Sequence, residues 1–105
     1  MNKGDIILVS YPFTNLAGSK FRPAVILCDT PLDFTACFIT TQIEKKEDSD
    51  IFIQANQTNG LKKNSLIRTS KIATIDKQLA KGLLGTLSLE QIDELNTQLR
   101  KLLKL

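Results

Sequence analysis

Gly18-Ser19-Lys20-Phe21-Arg22-Pro23-Ala24-Val25-Ile26-Leu27-Cys28 is the stretch on which the architecture turns. It opens with turn-forming residues, then settles into a continuous apolar run at residues 24–28 that has the length of a buried strand. Asp29-Thr30-Pro31 closes the run. Upstream, residues 5–11 are rich in β-branched and apolar side chains, and residues 12–20 collect Pro, Asn, Gly and Ser, which reads as a strand followed by a long loop. Downstream, residues 35–43 form a third strand-like run, ended by seven polar residues, Glu44-Lys45-Lys46-Glu47-Asp48-Ser49-Asp50. This charged run reads as a solvated hairpin loop. Ile51-Phe52-Ile53 is a short strand, Asn59-Gly60 marks a turn, and residues 65–75 form a longer strand of mixed polarity.

A helical period occurs at the end of the chain. Leu89, Ile92, Leu95, Leu99, Leu102 and Leu103 recur at steps of three and four and line one face. Ser88, followed three residues later by Gln91, is a capping-box pair, so the helix starts near residue 89 and runs almost to the C-terminus. Short strands in succession with one terminal amphipathic helix predict a mainly β (α+β) fold, a small, partly closed antiparallel barrel with the helix packed on the sheet or over one end. At 105 residues the chain holds one compact core, so residues 1–105 are read as one domain.

Composition narrows the chemistry. There is no histidine, which removes the usual general base and every Ser-His or Cys-His pair. Cys28 and Cys37 lie inside apolar runs and read as small buried hydrophobes; two thiolates without histidine do not complete a tetrahedral zinc site, so no metal or other cofactor is expected. The apolar run Ile6-Ile7-Leu8-Val9 is too short for a signal segment or a membrane span, and a cytoplasmic protein is expected. The net charge of +3 is uneven: residues 62–81 carry Lys62, Lys63, Arg68, Lys71, Lys77 and Lys81 against Asp76 alone. Such a stretch suits either a polyanion partner or an ordinary solvated lysine face.

Three segments offer site residues. In the first, Gly18 allows a turn, Ser19 and Lys20 offer phosphate contacts, and Arg22 supplies a permanently charged fork whose position Pro23 restrains. An exposed arginine at a strand start is the plain alternative. In the second, strand alternation sets Phe38, Thr40 and Gln42 on one face and Ile39, Thr41 and Ile43 on the other, so that Thr40 and Gln42 look outward if the isoleucines face the core. Threonine is equally a good strand former. In the third, Arg68 and Ser70 share one face and Thr69 and Lys71 the other, forming either a charged sheet edge or a wall of a polyanion groove.

The string Lys3-Gly4-Asp5-Ile6-Ile7-Leu8-Val9, the loop Gly18-Ser19, the motif Arg22-Pro23-Ala24-Val25-Ile26-Leu27, the segment Ile39-Thr40-Thr41-Gln42 and the stretch Ile72-Ala73-Thr74-Ile75-Asp76-Lys77 together resemble the PemK/MazF toxin family. The resemblance covers nearly the whole chain and rests on the order and spacing of these motifs. It implies an SH3-like barrel with a C-terminal helix, a homodimer, an endoribonuclease that cleaves single-stranded RNA without metal, and a cognate antitoxin protein as partner. It assigns catalysis to Arg22 and Thr40 and offers Lys71 as a phosphate contact; Gly18, Ser19, Lys20, Gln42 and Arg68 are read from their own chemistry as further RNA contacts. The family's products, a 2′,3′-cyclic phosphate and a 5′-hydroxyl, imply attack by the RNA's own 2′-hydroxyl. Many members have an acidic residue after the Gly-Ser of the loop where this chain has Lys20, and the general base is therefore unassigned. A toxin of the same fold that binds a protein such as DNA gyrase, and a module that holds RNA without cutting it, are the competing expectations.

Overall fold

The computed structural model describes residues 1–12 and 19–105, the side chains of Tyr11, Pro12 and Ser19 excepted. Among the described residues the elements are β1 (Asp5–Pro12), β2 (Ser19–Asp29), β3 (Asp33–Thr40), a 3-10 turn (Ile43–Lys45), β4 (Asp50–Ile53), β5 (Ser65–Asp76), a second 3-10 turn (Lys77–Leu79), β6 (Ala80–Thr86) and α1 (Leu89–Leu103). The mainly β chain with one C-terminal helix agrees with the sequence reading. The expected loop at residues 12–20 is shorter than read, because β1 continues to Pro12 and β2 already begins at Ser19, with Pro12 paired to Ser19 and Tyr11 to Lys20. No motif in the sequence signals β6, whose Lys81, Gly82 and Gly85 dilute the apolar pattern.

All strand pairs are antiparallel, in the order β4-β5-β3-β2-β1-β6. This order requires the sheet to curl. β5 and β6 have β3, β2 and β1 between them, a separation of about 19 Å across a flat sheet. Yet β5 ends at Asp76 and β6 starts at Ala80, and that connection reaches at most about 14 Å. Only a partly closed barrel satisfies both. The connecting turn is pinned by Lys77, whose N–H donates to the Leu32 carbonyl at 3.2 Å and whose ammonium meets Asp29 at 2.9 Å.

Strand alternation fills both faces of the sheet. Ile7, Val9, Ala24, Ile26, Phe34, Ala36 and Ile75 form the cluster inside the curl. Their neighbours Ile6, Val25, Cys37 and Ile39 turn the other way and join Ile51, Ile53 and Ile67 in a second cluster with Leu95 of α1. The helix begins at the expected capping box: Gln91 N–H donates to Ser88 Oγ at 3.1 Å, and Ser88 N–H to Gln91 Oε1 at 2.9 Å. Of the leucine stripe, Ile92, Leu95 and Leu99 pack on the core, whereas Leu89, Leu102 and Leu103 are exposed, so the stripe is only partly a core face.

Backbone meets backbone where the 56–61 loop crosses β6. Gly60 has φ +69, and a β-carbon there would lie 2.0 Å from the Leu84 carbonyl oxygen; the turn read at Asn59-Gly60 is thus required by packing as well as by conformation. Asn59 is buried and ties the loop, with Oδ1 accepting from the N–H groups of Asn56 and Leu61 and Nδ2 donating to the Gln54 carbonyl.

Three readings need correction. Both thiols are free, but only Cys37 is buried; Cys28 lies beyond a register shift near the end of β2 and is exposed. Ile43 belongs to a 3-10 turn and is exposed, since β3 stops at Thr40. Residues 44–50 are not a merely solvated loop, because Asp50 starts β4 and is buried.

Candidate active site

Pro23 sets the place of the site. The Gly4 N–H donates to the Ile26 carbonyl at 2.9 Å, so Ile26 presents its backbone to β1. By alternation Pro23 presents its own, lacking an N–H, towards β3. The β2–β3 ladder ends at Ala24 opposite Phe38, one residue short of Pro23. Continuing that register sets Arg22 beside Thr40, at the point where the two strands stop pairing. Here a cavity of about 220 Å³ opens, lined by Arg22, Phe38, Ile39, Thr40, Arg68 and Lys71.

The presence of both Arg68 and Lys71 overturns the simple alternation read along β5. Cys37 pairs with Ile72 and Ile39 with Ile67, so Phe38 alone stands opposite Arg68, Thr69, Ser70 and Lys71. This bulge inserts an odd number of extra residues and reverses the phase of the strand, bringing Arg68 and Lys71 to one cavity. Thr69 turns inward, fully buried, and donates to the Ser49 carbonyl at 2.7 Å. Bulged strands re-aim side chains in this way, and mixed polarity in a strand is the only sequence signal of it.

Thr40 is half-buried, and its Oγ1 accepts from the Gln42 N–H at 3.2 Å. That bond occupies one lone pair and leaves the hydroxyl proton available to donate into the cavity. Gln42 therefore serves Thr40 through its main chain; its exposed side chain does not line the cavity. Lys20 is exposed on the paired β1–β2 arm, away from the cavity lining. Gly18 lies outside the described residues, and Ser19 is placed only as the strand partner of Pro12.

Arg68 is held from behind. Its Nη1 meets Glu47 Oε1 at 3.0 Å and Asp50 Oδ2 at 3.2 Å, and its Nη2 lies 3.5 Å from the Lys45 carbonyl oxygen. Two members of the acidic run thus belong to the surroundings of the site, which composition alone did not reveal: a charge run carries no period that would identify its buried member. Phe38 and Ile39 supply the apolar part of the cavity wall.

The basic stretch does not act as one patch. Arg68 and Lys71 reach the cavity; Lys77 pairs with Asp29; Lys62 and Lys63 border a separate cavity of about 430 Å³ with Leu61, Pro23 and Leu84. Among the described residues no group of three Cys, Asp and Glu side chains is gathered closely enough to hold a metal ion, and no helix is long and apolar enough to cross a membrane.

The backbone is similar to solved toxin structures. The Mycobacterium tuberculosis toxin MazF-mt6 superposes with a TM-score of 0.76 at 20% identity, covering 94% of this chain and 97% of that one. MazF from Deinococcus radiodurans gives 0.79 at 17% identity, covering 100% and 97%. An endoribonuclease from a mycobacterial species, solved with its cognate antitoxin, gives 0.78 at 17% identity, covering 100% and 96%. At such identities the likeness establishes the shared fold. No curated protein is significantly similar in sequence. The sequence model of the PemK-like, MazF-like toxins of type II toxin-antitoxin systems matches residues 2–103, nearly the whole chain, and the protein belongs to that family.

Proposed function

We propose that this toxin is an endoribonuclease that cleaves single-stranded RNA by attack of the RNA's own 2′-hydroxyl on the adjacent phosphodiester. The observation that carries the proposal is the meeting of Arg22, Thr40, Arg68 and Lys71 around one cavity at the end of the β2–β3 ladder. Three cations suit a phosphate chain, and planar guanidinium forks match phosphate oxygens.

In this mechanism the in-line phosphorane gains negative charge as the 2′-oxygen bonds to phosphorus. Arg22, fixed beside it, stabilises that charge; a preorganised donor of this kind contributes about 3 to 4 kcal/mol to the barrier. Thr40 donates its free hydroxyl proton as a hydrogen bond to a non-bridging oxygen or to the departing 5′-oxygen. An unactivated alcohol is a poor acid near neutral pH, so this is a positioning interaction and not full proton transfer. Lys71 and Arg68 hold the phosphates. Water takes the 2′-hydroxyl proton and returns one to the departing 5′-oxygen as the P–O5′ bond breaks, leaving a 2′,3′-cyclic phosphate and a 5′-hydroxyl, and this chemistry does not call for a metal ion. In this reading the active unit is a homodimer in the cytoplasm and is restrained by a cognate antitoxin protein; the similar mycobacterial endoribonuclease solved in complex with its cognate antitoxin supports the last point.

Incubation of the purified protein with long single-stranded RNA in EDTA, followed by chemical mapping of the ends, tests the reading. Cyclic phosphate and 5′-hydroxyl ends at a short recurring sequence are expected. RNA that is bound but left intact, or growth arrest with intact cellular RNA, would contradict it.

A further inference from the structure

Asp50 is the least expected charge in the molecule. Its side chain is fully buried, and its Oδ1 is the one buried side-chain oxygen without a hydrogen-bond partner among the described residues. Burying a carboxylate is costly unless it is paired and hydrogen-bonded, and a stranded oxygen adds to that cost. A strand start needs no such group. What the carboxylate does do is grip Arg68: Asp50 and Arg68 are register partners across β4 and β5, and Oδ2 accepts from Arg68 Nη1 at 3.2 Å. The same oxygen accepts from the Glu47 N–H at 2.8 Å, which sets the loop so that Glu47 Oε1 takes the second Nη1 proton at 3.0 Å.

The consequence is an asymmetric guanidinium. Both Nη1 protons are turned to the two carboxylates, one Nη2 proton faces the Lys45 carbonyl, and Nε–H with the remaining Nη2 proton has no partner among the described residues. Arg68 lines the cavity, with its side chain only 15% exposed. A guanidinium clamped on one side and open on the other is a ready-made two-pronged donor for a phosphate oxygen pair. The geometry points to Asp50 as a positioning residue for RNA cleavage: it acts through Arg68, holding that fork in the orientation the phosphate needs, with exposed Glu47 as its auxiliary. This inference rests on the ribonuclease reading.

The test is a double-mutant cycle on RNA cleavage, using Asp50→Asn, which keeps the shape and removes the charge, and Arg68→Ala, with thermal unfolding of each variant as a control. Asp50→Asn is expected to lower kcat by about tenfold or more with KM changed much less, since a charge-assisted hydrogen bond that orients a donor is lost. In the Arg68→Ala background the same substitution is expected to change kcat little. Glu47→Gln, at a carboxylate that is 64% exposed, provides a variant that folds if Asp50→Asn does not, and is expected to lower kcat by a smaller factor. Unchanged kcat in a folded Asp50→Asn, or equal losses with and without Arg68, would overturn the assignment. Nitrogen-15 spectra of the free protein separate this from failure of the nuclease reading. Resolved Arg68 Nη signals that collapse to an average in Asp50→Asn or Glu47→Gln support the clamp even if RNA stays intact, and averaged signals in the unsubstituted protein contradict it.

Discussion

Arg22 of β2 and Thr40 of β3 line one cavity at the point where the ladder between their strands ends. A permanently charged fork and a hydroxyl with its proton free thus flank one space large enough for a phosphodiester group. The arrangement follows from the chain: Pro23 removes the N–H that would extend the ladder, and Gln42 satisfies one lone pair of Thr40.

In the proposed mechanism the hydroxyl, not the methyl, of Thr40 is the working group. Thr40→Ser is expected to cleave RNA at a rate close to that of the unsubstituted protein. Thr40→Ala is expected to lose about tenfold in kcat, the value of one well-placed neutral hydrogen bond. Steady-state kinetics on a short RNA containing the cleavage site decides between them, and a Thr40→Ala protein of full activity would remove the hydroxyl from the mechanism.

In the proposed mechanism Lys71 holds phosphate by charge, without reading sequence. Lys71→Ala should weaken RNA binding by a similar factor for every sequence tested. The slope of log affinity against log salt should fall by about 0.7, one phosphate contact on a single strand. Fluorescence-anisotropy titrations at several salt concentrations measure both. An unchanged slope would place Lys71 outside the RNA path.

Gly60→Ala should unfold at a lower denaturant concentration with the denaturant slope unchanged, losing more than about 1 kcal/mol, because the positive φ and the Leu84 carbonyl both oppose a β-carbon. Urea titrations of the two proteins provide the comparison. Equal stability would mean that β6 and the 56–61 loop sit further apart than the structure has them.

The two cysteines should differ sharply. Burial pushes the Cys37 thiol up to about 12, while Cys28 is exposed. Brief alkylation of the folded protein near pH 8 should modify Cys28 alone, and unfolding should release Cys37; peptide mass spectrometry reads this directly. The raised thiol also fixes a sign. Between the ordinary thiol range and about 12 the folded state holds a proton that the unfolded state gives up, so Cys37 contributes a loss of stability as pH rises through that window. Cys37→Ala should flatten this part of the alkaline stability profile.

Much of this was readable in the residues. The alternation of Phe38, Ile39 and Thr40 foretold which side chains turn to the core, because β3 is regular over that stretch. Ser88 and Gln91 fixed the helix start through two local hydrogen bonds. What escaped depends on contacts between distant segments. The bulge that brings Arg68 and Lys71 together arises from pairing β5 with β3 in two different registers, and no period in residues 65–76 encodes it. β6 is a strand because β1 offers it a partner, not because its own sequence favours one. Asp50 looked like its solvated neighbours until Arg68 was seen across the ladder.

In the proposed mechanism the Arg22 guanidinium stabilises the charge that develops on a scissile phosphodiester. Single-turnover cleavage of RNA in EDTA by the unsubstituted protein and by Arg22→Ala tests it most directly, with thermal unfolding to show that both are folded. The unsubstituted protein should produce cyclic phosphate ends, and Arg22→Ala should cut about 100- to 1000-fold more slowly with its melting temperature nearly unchanged. A folded Arg22→Ala protein that cuts the same RNA at the same rate would contradict the account.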